Sequence, residues 1–327
     1  MRDFTILALP GAYASSVAVT LDILDAAARL APRARAPRPT WRVASPDGDG
    51  VALSGGLRLD ASALPLRPRA DASTWIVPGL GTENPAAIAE RLAQGDAQRA
   101  IAALRRHVDR GGRVAASCSA VFLLQAAGLL AGRRATTSWW LAPELRRLEP
   151  ACAVDADRMV CEDGAVTTAG AALAQSDLML HLLRSRFGPR LSEAVGSVLL
   201  LEHRHAQSAF VIPDVLASGH ELVAKLAARL EKSLPHVPPV SVLAAELCVS
   251  ERTLGRHVRQ ATGKSTMGFV QGVRVQRARA LLHNSRMTIE QVAVQVGYQD
   301  ATALRRLMRK ATGAAPGRFR SLAVVDA

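Results

Sequence analysis

The chain is poor in cysteine, with four in 327 residues, and Cys118, Cys152, Cys161 and Cys248 form neither a C-x-x-C pair nor a dense framework. A fold stapled by disulfides is excluded, and a reducing compartment fits. His107, His181, His203 and His205 show no zinc-like spacing with those cysteines, so neither a metal nor a cofactor is expected. Long apolar runs are missing too. The run Phe4 to Leu9 is six residues long, too short for the core of a signal peptide and far short of the roughly 18 residues of a membrane span. Nothing else approaches that length, so the expected location is the cytoplasm, with no membrane partner.

What the chain does contain is enough apolar sequence for packed domains, 49% hydrophobic against 21% charged. Its length suits two domains better than one. The formal charge of +13 is unevenly placed: from Ala217 onward 17 Lys and Arg face 7 Asp and Glu, leaving about +3 for all that precedes. A basic last third is what a polyanion-binding module carries, because each cation that meets a phosphate releases condensed counterions.

The first 200 or so residues alternate short apolar runs with helical patterns: Phe4 to Leu9, an Ala-rich helix near Val17 to Leu30, Trp41 to Ala44, Trp75 to Val77, Arg113 to Ser117 and Ala165 to Thr168. Strands buried on both faces and alternating with helices predict an α/β domain, a parallel sheet covered on both sides. Proline breaks the basic stretch Ala31 to Pro39, which is expected to end the first helix and run as a surface loop. A helical pattern runs from Leu191 to His205, and Ser208 to Gly219 has no period. The expected organisation is therefore a first domain over 1–205, a linker over 206–220 and a second domain over 221–327.

In that second domain strand patterns vanish, and an internal repeat emerges. Leu254-Gly255-Arg256-His257-Val258-Arg259-Gln260-Ala261-Thr262-Gly263 returns 50 residues later as Leu304-Arg305-Arg306-Leu307-Met308-Arg309-Lys310-Ala311-Thr312-Gly313, with six identities in ten. Each copy reads as short helix, tight turn and second helix: Val242 to Cys248 then Glu251 to Thr262, and Ile289 to Val296 then Ala301 to Thr312. Ser250 and Asp300 stand where an N-cap acceptor is needed, and Gly263 and Gly313 where a left-handed stop follows. Leu254, Val258 and Ala261 share one face of the first copy, with Leu304 and Met308 on that of the second. The opposite faces carry Arg252, Thr253, Gly255, Arg256 and Arg259, and Ala301, Thr302, Arg305, Arg306 and Arg309, free to enter a major groove. Thr266 to Leu282 reads as a long helix fixing the spacing of the two units.

These residues resemble the AraC/XylS family over about Glu221 to Arg320. The resemblance lies in Ser250-Glu251-Arg252-Thr253-Leu254 with Arg256, Ala261-Thr262-Gly263-Lys264-Ser265, Arg274-x-x-Arg277-Ala278-Arg279-x-Leu281-Leu282, Ile289-Glu290-x-Val292-Ala293-x-x-Val296-Gly297-Tyr298 and Pro316-Gly317-Arg318-Phe319-Arg320. It implies an all-α domain with two helix-turn-helix units gripping double-stranded DNA. Aromatic positions usual in the two recognition helices are Val258, Leu304 and Met308 here. Arg252, Thr253, Thr302 and Arg305 are expected to discriminate bases, and Arg256, Arg306 and Arg309 to hold phosphates or the helix pair.

In the first domain, Arg113 to Leu124 reads as a strand running into a helix with Cys118 at the turn, which exposes a side chain at a carboxyl strand end. This stretch, with Ala127-Gly128-Leu129-Leu130, Gly132 to Thr137, Trp139 and Trp140, is similar to the ThiJ/PfpI, or class I glutamine amidotransferase-like, superfamily. Val166-Thr167-Thr168-Ala169-Gly170 and Asp177-Leu178-x-Leu180-His181-Leu182 continue the match. Fused to an AraC-type module, the whole resembles GlxA-type regulators. The resemblance implies a flavodoxin-like parallel sheet with helices on both faces.

Catalysis requires a base and an orienting group beside the thiol. Hydrolytic relatives place a histidine directly after the cysteine, where this chain has Ser119; the Thr-Thr-His-Trp run of the regulators reads Thr137-Ser138-Trp139; and the acid that relatives carry after the first strand is missing from Gly11 to Ser16. The elbow is read as degenerate, with no catalytic residue, and Gly79, Leu80, Cys118, Ser119 and Thr137 as lining an effector pocket. The expected function is transcription regulation by a sequence-specific DNA-binding homodimer under a small-molecule effector, with RNA polymerase a candidate partner. The alternatives are a cysteine-dependent amidase or hydrolase, or a thiol redox sensor, using Cys118 and coupled to DNA binding.

Overall fold

The computed structural model describes residues 2–48, 50–64, 72–82, 84–201, 204, 207, 221–312 and 315–319. The chain divides into two compact units, Met1–Arg204 and His205–Ala327. Apart from Gln207, the expected linker at 206–220 lies outside the described residues, as do His203, His205, Gly313 and Arg320.

The N-terminal unit is a seven-stranded sheet between two helical layers. Its strands are β1 (Phe4–Leu7), β2 (Trp41–Ser45), β5 (Ser62–Ala63), β6 (Thr74–Val77), β7 (Arg113–Ser117), β10 (Val160–Asp163) and β11 (Val166–Ala169). They lie in the order β10-β11-β7-β6-β1-β2-β5. All pair in parallel except β10, which runs antiparallel to β11 at one edge. Two small ladders stand apart, β3 (Val51–Ala52) with β4 (Arg58–Leu59) and β8 (Arg134–Ala135) with β9 (Ala153–Val154).

Alternation along the strands decides what each layer meets. Leu7, Trp75, Val77, Val114 and Ala116 face one core, closed by α2 (Pro85–Ala93), α3 (Gly95–Asp109), α4 (Val121–Ala126) and α5 (Ala142–Leu148). Phe4, Ile6, Ile76, Ala115 and Ala169 face the other, closed by α1 (Ala14–Ala34), α6 (Gln175–Phe187) and α7 (Pro189–Val198). With both faces covered, β1, β6 and β11 are buried at every position, which is why they read as short continuous apolar runs.

Two expectations are corrected. The first helix does not stop before Ala31-Pro32 but continues to Ala34, with Pro32 inside it and Arg35 in the left-handed cap at φ 54°. Proline in a final turn forfeits one backbone bond, and burial of Ala26, Ala27 and Ala31 offsets that loss. Among the described residues, the helical pattern from Leu191 toward His205 is helix over Pro189–Val198, and Leu200, at φ 54°, turns the chain out of it.

Among its described residues the C-terminal unit is all helical: α8 (Glu221–Ser233), α9 (Val240–Glu246), α10 (Glu251–Thr262), α11 (Thr266–Asn284), α12 (Ile289–Gln295) and α13 (Ala301–Thr312), then a 3-10 turn over Pro316–Phe319. The long α11 packs against α8, α10, α12, α13 and the final turn. Ala278 and Leu282 of α11 join Val292, Ala293, Val296, Leu304 and Met308 in one core. Two arginines of α11 lie over rings, Arg274 at 5.2 Å from the Tyr298 centroid and Arg279 at 4.9 Å from that of Phe319, which pins the second helix-turn-helix to the long helix. Gly297 has φ 84°, and a Cβ there would stand 2.2 Å from the Pro235 carbonyl oxygen, so only glycine fits this approach.

Candidate functional site

The first helix-turn-helix is α9, a turn and α10. The α9 helix ends at Glu246, two residues before the expected Cys248, because Cys248 takes a left-handed φ of 55°. Ser250 caps α10 by accepting from the Thr253 amide at 3.1 Å, and Gly263 stops it at φ 72°. Leu254, Val258 and Ala261 point into the core, while Arg252, Arg256 and Arg259 are exposed and Thr253 is half-buried. Gly255 is half-buried, and a Cβ on it would meet Thr266 Oγ1 at 3.7 Å.

The second unit repeats this plan over α12 and α13. Thr288 and Gln291 form a reciprocal capping box on α12. Asp300 accepts from the Thr302 and Ala303 amides at 2.6 and 2.9 Å, and these two backbone bonds hold its carboxyl below the usual aspartate range. Leu304 and Met308 are buried, and Thr302, Arg306 and Arg309 are exposed. Ala301 corrects the expectation: it is 6% exposed and belongs to the core with Val292 and Leu304, so it turns inward at the first position of α13 and offers nothing to a groove. Arg305 is half-buried, and its Nη2 donates to Glu290 Oε1 at 2.9 Å.

In the N-terminal unit, Cys118 sits at the end of β7 with φ 55°, the strained turn expected of an elbow. Its amide donates to the Gly170 carbonyl at 2.7 Å, its carbonyl accepts from Thr137 Oγ1 at 2.7 Å, and its Sγ accepts from Ser138 Oγ at 3.1 Å. Gly79 lies so close that a Cβ on it would be 3.0 Å from that of Cys118. The Leu80 amide is taken by Ser119 Oγ at 3.2 Å rather than aimed at a ligand. Gly79, Leu80, Cys118, Ser119 and Thr137 are thus brought together, and all five are buried. His107 packs on Trp75 at 4.4 Å and bonds the Ser73 carbonyl at 3.0 Å, a core histidine.

Residues 40–185 match the DJ-1/PfpI family, and residues 243–321 match a helix-turn-helix domain. The HTH-type transcriptional regulator CdhR of Pseudomonas aeruginosa is 27% identical over 98% of this chain and 92% of its own length. The HTH-type transcriptional regulator GlxA of Rhizobium meliloti is 24% identical over 86% of each. The chain joins a DJ-1/PfpI domain to an AraC-type helix-turn-helix domain. Among solved structures, Drosophila melanogaster DJ-1beta shares the fold at a TM-score of 0.50 and 20% identity, covering 62% of this chain and all of its own. An AraC family transcriptional regulator from Pseudomonas putida does so at 0.50 and 23%, covering 61% of this chain and all of its own.

Within the DJ-1/PfpI domain, Ser138 is the elbow residue that sequence reasoning did not place beside the sulfur. It stands where the regulators' run carries a histidine, and a hydroxyl donating to a thiol is no base near neutrality. Burial pushes the Cys161 thiol up to about 11 and raises that of Cys152, so neither presents a thiolate at neutral pH. Within the AraC-type domain the missed residue is Glu290. Its partner is 15 positions away and becomes its neighbour only once α12 packs on α13.

Proposed function

We propose that the chain is a sequence-specific regulator of transcription that binds double-stranded DNA through α10 and α13. The observation that carries this reading is the repeated partition of those two helices, each with a buried apolar face, an exposed cationic face and a capped N-terminus, on one shared long helix. Such a helix fits the major groove, and two held on one scaffold suit successive grooves of one duplex, about 34 Å apart. In this reading Arg252, Thr253, Thr302 and Arg305 read bases, and Arg256, Arg259, Arg306 and Arg309 hold phosphates.

The DJ-1/PfpI domain acts as the sensor for a small metabolite at the Gly79, Leu80, Cys118, Ser119 and Thr137 cluster, and it is not an enzyme. The burial of Cys118 and its hydroxyl partner support a lining role over attack on an external substrate. The regulator works in the cytoplasm as a homodimer, with RNA polymerase as its further partner. Among the described residues no helix is long and apolar enough to cross a membrane.

The test is in-vitro selection of bound duplexes by the full chain, followed by titration of the selected site and of random DNA at about 150 mM salt. The reading expects a selected site bound at least about a thousand-fold more tightly than random sequence. Equal affinity for both would overturn it.

A further inference from the structure

Burial sets the correspondence between the two helix-turn-helix units. Leu243 and Ala244 of α9 match Val292 and Ala293 of α12, and Leu254 and Val258 of α10 match Leu304 and Met308 of α13. The first helices are therefore 49 residues apart and the second helices 50, with the extra residue in the second turn. On this register Ser241 corresponds to Glu290, and Gly255 to Arg305. The second unit carries an acid–arginine pair, and the first has neither member.

The pair is well built. Arg305 Nη2 meets Glu290 Oε1 at 2.9 Å across the helix-turn-helix, with the two side chains 44% and 64% exposed. Glu290 lies in the first turn of α12, beside the capping box of Thr288 and Gln291, where the free helix amides favour a carboxylate. An isolated exposed ion pair contributes little to stability, so the value of this one lies in orientation. A guanidinium is a rigid fork of five donors; bound at one nitrogen, it keeps the remaining donors free while losing the rotamers that would otherwise be frozen on binding. A fixed carboxylate at the DNA-facing surface also repels phosphates, which weakens binding wherever Arg305 finds no base to compensate.

We propose that Glu290 is a positioning residue that presets the Arg305 fork for a guanine edge, so that the half-site under α13 is read for a guanine where the half-site under α10, facing Gly255, is not read. This rests on the regulator reading above. Guanine is the natural partner because its O6 and N7 present two acceptors to a bidentate arginine in the major groove. The two half-sites are consequently unequal in information, and the bound duplex has a direction.

The experiment uses the full chain and its selected duplex, with every base pair of both half-sites substituted in turn and affinities read by fluorescence anisotropy at about 150 mM salt. The expected result is a guanine in the half-site under α13 whose replacement costs the wild type about ten-fold, with no such penalty at the equivalent base pair facing Gly255 under α10. In Glu290→Gln that penalty falls to about two-fold while binding to random DNA rises. In Arg305→Ala the penalty vanishes at the same base pair, and Arg305→Lys keeps the salt dependence but not the penalty. The proposal is overturned if Glu290→Gln retains the full penalty, or if its affinities for selected and random DNA rise by the same factor. A wild type with no preference at all defeats the regulator reading itself, and is told apart by that absence.

Discussion

Arginines in the two units keep different company. In the N-terminal unit two are engaged internally: Arg91 forks onto Asp96 and reaches the Pro10 carbonyl, and Arg204 holds Asp177 through its backbone amide, Nε and Nη2 at 2.6 to 3.0 Å. On the outer faces of α10 and α13, Arg252, Arg256 and Arg309 meet no carboxylate among the described residues. A count of charges would rank the regions only by excess. The structure adds that cations already satisfied by acids release little on meeting a phosphate, whereas unsatisfied ones on a free helix face are available to it.

The largest effect that would test this contrast belongs to Asp177, whose side chain is 3% exposed against Arg204. Asp177→Ala removes the acceptor of the Arg204 amide, Nε and Nη2 and is expected to lower the stability of the N-terminal unit by about 2 kcal/mol, measured by denaturant unfolding. Below the transition, DNA affinity should stay unchanged. Loss of stability without loss of DNA binding is the signature of an internal arginine, and the reverse pattern there would dissolve the distinction.

Arg252→Ala is next and runs the other way. Unfolding should be unaltered, while preference for the selected duplex falls about ten-fold or more. Equal losses on selected and random DNA would show that Arg252 holds phosphate instead. Arg306→Ala is expected to weaken all sequences alike and to flatten the slope of log affinity against log salt by about one unit; a titration at several ionic strengths decides it.

The smallest effects distinguish the caps of the two recognition helices. Ser250→Ala should cost about 1 kcal/mol in thermal unfolding at every pH, since a hydroxyl does not titrate. Asp300 is held below the usual aspartate value by the Ala303 and Thr302 amides, so its stabilisation is complete above the unfolded value. It is lost as pH falls through the lower folded value. Wild type and Asp300→Asn should therefore converge in acid and part above about pH 4, and a constant difference across that range would remove the carboxylate from the cap.

Much of this arrangement is legible before folding, for a local reason. The boundaries of α10 and α13 follow from Ser250, Asp300 and Gly263, residues whose cap chemistry acts within one turn. The strands around Phe4–Leu7 and Thr74–Val77 show because burial on both sides demands unbroken apolar sequence. What escapes is decided by distant partners. Ala301, by contrast, stands three residues before Leu304 and seven before Met308, so helical period already places it on their buried face, where it lies. Pro32 looks like a stop, yet the burial of Ala26, Ala27 and Ala31 carries the helix past it. Glu290 gains meaning only when Arg305 is folded beside it, and the Leu80 amide is claimed by Ser119 from 39 residues away.

One close approach in the C-terminal unit sets a tolerance for the duplex. With Gly297 seated against the Pro235 carbonyl, the turn of the second unit abuts the segment that leads into the first, so more than the long helix locks their mutual angle. A bound operator then has to keep its two half-sites in fixed rotational phase. One extra base pair between them turns the second by about 34°, and an inflexible clamp cannot follow; such an insertion should uncouple one half of the contact, and a full helical turn should not restore it.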